Sequence, residues 1–140
     1  MINDITNGIS TKLNSVFGDG YTVYSSNVEQ GLEEPCFFIK LLKPISTPFL
    51  GKRKKIEYPF DVHYFPEDDS DNDGMYEVGE RLSDELEYID LLNGDIVRGK
   101  DISFEIIDRV LHFSVTYTVF MNDITKDESM GGYGLDVGVN

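Results

Sequence analysis

The 140-residue sequence holds one cysteine, no tryptophan, and only 12 Lys and Arg against 26 Asp and Glu. A single thiol, Cys36, leaves no intrachain disulfide and no thiolate-based zinc cluster to build, and it is compatible with a reducing cytoplasm. With a formal net charge of −14 and so few cations, the chain lacks the Lys/Arg footprint that phosphate neutralisation requires. No sequence-specific nucleic-acid partner is therefore expected. No apolar run approaches the roughly 20 residues of a membrane helix, and Met1-Ile2-Asn3-Asp4 opens without the basic-then-apolar order of a secretory signal. The expectation is a soluble, intracellularly made protein with no membrane partner.

Aromatics are plentiful by contrast. Nine Phe and 8 Tyr argue against an acidic disordered chain, which would lack them. The length suits one domain with a core of its own.

Ile2, Ile5, Ile9, Leu13, Val16 and Phe17 recur at steps that make one helical stripe, and Gly18-Asp19-Gly20 ends it. Tyr21–Ser25 reads as a short strand, Asn27–Pro35 as a connection and Cys36–Lys43 as a central strand. Pro44–Lys55 reads as a long loop or hairpin tip. Ile56, Tyr58, Phe60, Val62 and Tyr64 alternate with polar positions, so Ile56–Phe65 is a strand with one apolar face. Pro59 has no N–H for a ladder bond and places that strand at an edge or gives it a bulge. A second stripe, Met75, Val78, Leu82, Leu86, Ile89 and Leu92, predicts a helix over Met75–Leu92, stopped by Asn93-Gly94. Ile96–Arg98, a Gly99 turn, Ile102–Ile106, an Asp108-Arg109 turn and Leu111–Met121 complete the strands.

The fold class predicted is α+β: a single domain with a mixed, mainly antiparallel β-sheet and two α-helices packed on one face. Residues 1–123 form the domain. Residues 124–140, rich in glycine, form a C-terminal tail that is extended or ordered on a partner.

Four places invite chemistry. Asp69, Asp71, Asp73, Gly74 and Glu80 have the spacing of a calcium loop. A strand rather than a helix precedes them, however, and Asp and Asn before a helix are natural caps against its positive end. The alternative function this spacing suggests is a small calcium-binding interaction module using the Asp69–Glu80 loop. His63 and His112 fall on the polar faces of their strands, where they can be neighbours. Ser114 is close in sequence, but it sits mid-strand without the strained turn a serine nucleophile uses. Cys36 opens an apolar strand and reads as a small buried hydrophobe rather than a reactive thiol. Lys52, Arg53, Lys54 and Lys55 concentrate cations in an acidic chain. They form either a docking surface for an acidic partner, such as another copy of the chain, or a solvated hairpin tip that protects an edge. Gly131-Gly132-Tyr133-Gly134 lacks the following helix and the Lys-Ser/Thr pair of a phosphate cradle.

Val62-His63-Tyr64-Phe65-Pro66, then a polar gap and a helix, together with the opening Met1-Ile2-Asn3-Asp4-Ile5 and the closing strand Leu111–Met121, resemble the tail terminator family of tailed bacteriophages and phage-like particles infecting Gram-positive bacteria. The resemblance covers residues 1 to 123. It implies a structural virion protein and not an enzyme, with no catalytic residues, no cofactor and no metal. It also implies a homo-oligomeric, hexameric ring that caps the tail tube protein, stops tube polymerisation and meets the neck or head-completion proteins. In a contractile tail the ring also anchors the last ring of the sheath.

Overall fold

The structure, a computed structural model, describes residues 1–25 and 32–122. Along the chain come α1 (Ile2–Phe17), β1 (Thr22–Tyr24), β2 (Cys36–Leu41), β3 (Ile45–Pro48), β4 (Arg53–Phe65), α2 (Asn72–Glu85), β5 (Tyr88–Asp90), β6 (Ile96–Ile107) and β7 (Val110–Asn122). The seven strands form a sheet in the order β1-β2-β4-β7-β6-β5, with β3 pairing β4. β1 runs parallel to β2, while the β2–β4, β3–β4, β5–β6 and β6–β7 pairs are antiparallel. The fold is α+β, as the stripe-and-alternation pattern predicts. By compactness the described residues divide into two units: Met1–Pro44 with Tyr58–Thr118, and Ile45–Glu57 with residues 119–122. The expected boundary at 123 and the tail 124–140 lie outside the described residues.

In the first unit, the alternation of β4 and β7 sends Phe60, Val62, Tyr64, Leu111, Phe113, Val115 and Tyr117 to one buried face. α1 covers that face with Ile5, Ile9 and Leu13, and α2 with Met75 and Leu82. Gly18 ends α1 in the left-handed region (φ 83°), its N–H donating to the Asn14 carbonyl at 3.0 Å. None of the charged residues among those described is fully buried.

Three expectations are corrected here. The second helix starts earlier, at Asn72, and ends at Glu85 rather than Leu92. Beyond it the backbone carbonyls find other partners. The buried Tyr117 hydroxyl donates to the Leu86 carbonyl at 2.6 Å, and the Gly99 N–H donates to that of Glu87 at 2.6 Å. Those bonds replace the helical i→i+4 bonds, and Ile89 packs from strand β5 instead. Asn93-Gly94 is accordingly the turn of a β5–β6 hairpin, with the Leu91 N–H donating to the Asp95 carbonyl at 2.8 Å.

Second, Gly99 is no turn. β6 runs through it, and its pairing with β7 shifts between Lys100 and Ser103, where Asp101 takes a positive φ of 54°. Asp108 and Arg109 do form the expected turn, both with positive φ as a two-residue hairpin needs. Third, β4 is not an edge strand, since it lies between β2 and β7. Pro59 is tolerated because β2 stops there. The last bond between β4 and the end of β2 runs from the Leu42 N–H to the Pro59 carbonyl at 2.8 Å, and the proline does not return it.

Candidate functional site

The second unit holds the basic run. Ile45–Pro48 is a strand, so the segment expected as a long loop or hairpin tip is an ordered hairpin, pairing Ile45 with Glu57 and Pro48 with Lys54. The Phe49 N–H donates to the Arg53 carbonyl at 2.8 Å, and Gly51 supplies the left-handed turn (φ 62°). The Arg53 guanidinium lies 5.6 Å from the Phe49 ring centre and 5.3 Å from that of Phe120, over rings 5.0 Å apart. That cation is therefore held within its own unit. Lys52 and Lys54 are exposed and Lys55 is half-buried. At the tip Leu50 is 73% exposed, which places an apolar side chain directly beside the cations.

The acidic connection of the first unit does not fold as a calcium loop. Asp71 is the N-cap of α2, its Oδ1 accepting from the Gly74 N–H at 3.0 Å. Asp73 and Gly74 already lie inside the helix, so they cannot wrap round an ion as a glycine-turned loop does. Asp68 accepts from the N–H and hydroxyl of Ser70, which holds its carboxyl below the usual range. Asp69 faces Arg109 at 3.6 Å, and Glu80 stands exposed on α2. Millimolar calcium is expected to leave the melting temperature unchanged; an upward shift of several degrees would restore the metal reading. Asp71→Ala is expected to cost about 0.5–2 kcal/mol in urea unfolding through loss of the cap.

On the sheet face away from the helices, His63 and His112 are neighbours, as alternation predicts, with ring centres 4.3 Å apart. The Ser114 hydroxyl donates to Asp61 at 2.9 Å and His63 Nε2 lies 3.9 Å from the same carboxylate, so serine and histidine meet Asp61 rather than each other. That geometry offers no activated nucleophile. Burial first, then His112 and Lys40, lower the His63 pKa below 6.5, while Asp61 opposes them. A histidine whose folded pKa is depressed gives its full stability above the unfolded value and loses it as pH falls toward the folded one. Thermal stability is therefore expected to decline as pH drops below about 6.5, and His63→Gln to flatten that decline. An unchanged pH profile in the variant would assign the slope to other groups. Cys36 is buried, and burial, then the Glu34 carboxylate, push its thiol up to about 11, so it packs and does not react.

A cavity of about 460 Å³ in the first unit went unread in the sequence. Its walls are Phe17, Tyr21 and Tyr64, whose rings sit in a tilted chain with Phe17–Tyr21 at 5.4 Å and Tyr21–Tyr64 at 6.2 Å between centres. Burial, then Tyr21, raise the Tyr64 hydroxyl to about 12, so it stays neutral. Glu67, Asp68, Asp71 and Glu77 also line it. Arg81 lines it too, with its guanidinium 4.9 Å over Phe17 and donating to the Val16 carbonyl at 2.9 Å. These residues come from two distant parts of the sequence, residues 17–21 and 64–81. The only signal in the chain is its general richness in aromatics and acids.

Each of these features is a surface rather than a reaction centre: a hairpin with a basic tip in the second unit and, in the first, a pocket lined by aromatic and acidic side chains and a polar sheet face with no helix over it among the described residues. The family model described as phage tail terminator protein matches residues 4–130. A comparison with curated proteins finds no match. Covering nearly all of the 140 residues, the family match shows that the chain belongs to the phage tail terminator proteins, structural tail-capping components of the virion tail and not enzymes.

Proposed function

We propose that the chain assembles as a hexameric ring on the end of the finished tail tube, stops tube polymerisation and forms the junction to the neck or collar. The family match over residues 4–130 carries this reading. Two features of the surface support it. The half-buried polar face around His63, His112 and Ser114 has no helix over it among the described residues and suits contact with a neighbour. The hairpin bearing Lys52, Arg53, Lys54 and Lys55 gives an acidic chain one basic element with which to meet a second copy. A net charge of −14 per copy keeps DNA passing through such a ring from sticking to its lumen. In a contractile tail the ring also holds the last sheath ring. Native mass measurement of the purified protein, alone and with tail tubes, tests the proposal. A six-fold mass or capture at tube ends supports it, and a monomer that never binds tube ends overturns it.

A further inference from the structure

The aromatic pocket and the basic hairpin are complementary in two respects at once. The pocket is lined by the rings of Phe17, Tyr21 and Tyr64 together with the carboxylates of Glu67, Asp68, Asp71 and Glu77. The hairpin tip has an apolar residue, Leu50, 73% exposed, with Lys52 and Lys54 exposed beside it. Of the pocket's acids, Asp68 and Asp71 accept hydrogen bonds from Ser70 and Gly74, whereas Glu67 and Glu77 stand exposed at its edge. Arg81, held over Phe17 and donating to the Val16 carbonyl, is outnumbered by the carboxylates of Glu67, Asp68, Asp71 and Glu77, so the lining is negative. Copies carrying a formal charge of −14 repel one another at long range. A contact that places cations on carboxylates fixes both which surfaces meet and in what orientation.

We propose that the pocket receives the hairpin tip of a second copy, with Leu50 against the aromatic walls and Lys52 and Lys54 beside Glu67 and Glu77. Tip and pocket are different surfaces of one chain, so the contact is heterologous. Repeated from copy to copy it generates a ring where the rotation closes, whereas a self-complementary patch stops at a dimer. The inference rests on the ring reading and names the contact that builds the ring.

Two measurements test it. Lys52→Cys and Glu77→Cys proteins, one of them tagged, are mixed in full-length form and mildly oxidised. The native Cys36 is buried and does not compete. A mixed disulfide should form faster than either variant links to itself. Separately, Glu67→Lys with Glu77→Lys should weaken self-association at least about tenfold, and adding Lys52→Glu with Lys54→Glu should restore much of it. All four positions are surface sites, and unchanged melting temperatures verify folding. Rings that form with no mixed disulfide and tolerate the reversal overturn the pocket contact but leave the ring reading standing. A chain that stays monomeric and off tube ends overturns both.

Discussion

Phe37→Ala is expected to lower the free energy of unfolding by about 3–5 kcal/mol, the range for removing a fully enclosed aromatic ring. Phe37 is 0% exposed, and its ring centre lies 4.8 Å from Phe17, 5.1 Å from Tyr64 and 5.7 Å from Tyr21. It thus ties the end of α1 to the approach to β1 and, across the β2–β4 ladder, to its registered partner Tyr64. Removing it takes away the apolar area and leaves a void among rings that cannot collapse together without leaving their own rotamers. Urea unfolding should show a lower midpoint at an unchanged slope. Phe37→Leu, which keeps most of the volume, should recover the larger part of the loss. A cost below about 1 kcal/mol for the alanine variant would mean that the aromatic cluster is not closely packed. The three neighbours of Phe37 are also the walls of the pocket, so the same variant should loosen the hairpin's docking site. The proposed contact and the core beneath it are then coupled.

What the sequence disclosed depended on whether periodicity alone was enough. α1 and β7 carry long, single-period patterns, and both were legible to within a residue or two. The facing of His63 and His112 followed from alternation in the same way. Leu86 and Ile89 were ambiguous because they extend the helical stripe at the right spacing, while Glu87-Tyr88-Ile89-Asp90 also alternates. Length and the Asn93-Gly94 pair, a hairpin signal, were the available arbiters. β3 was hidden because all four of its residues are exposed and it ends in proline. Its pairing comes entirely from β4. Pro59 pointed to an edge because the sequence does not show that β2 ends opposite it. Ligand counting alone leaves the calcium spacing open because it ignores where the helix begins, and the Asp71 cap starts it within the loop. The basic run was legible as a candidate contact. Its proposed receptor was not, since Phe17, Tyr21, Tyr64 and Glu77 meet only once the helices lie on the sheet.

Gly99→Ala is expected to destabilise the fold by about 1–3 kcal/mol, although Gly-to-Ala exchange elsewhere in a chain is often favourable. A Cβ at this position would lie 2.5 Å from Val115 Cγ2 and 3.2 Å from both the Leu86 carbonyl oxygen and the Tyr117 ring. Val115 is 1% exposed, and its branched side chain has no alternative rotamer that escapes the contact cheaply. Relief must come from the backbone, and the backbone here is committed. The Gly99 N–H bonds the Glu87 carbonyl, and the Tyr117 hydroxyl bonds that of Leu86. Pushing β6 outward stretches both bonds at the point where α2 gives way to β5. A buried carbonyl that loses its donor there adds a desolvation cost of the same order as the steric one. Gly20→Ala is the matched control. Nothing lies within 4 Å of a Cβ at that position, and its φ is not in the left-handed region. That exchange should be neutral or stabilising by up to about 1 kcal/mol, through reduced freedom of the unfolded chain. Equal effects at the two glycines would show that Gly99 is not the close approach that lets helix, bulge and strand meet. A selective loss at Gly99, with faster amide exchange at Tyr88–Asp90, would identify it as the point that turns a long helical stripe into a shorter helix and a hairpin.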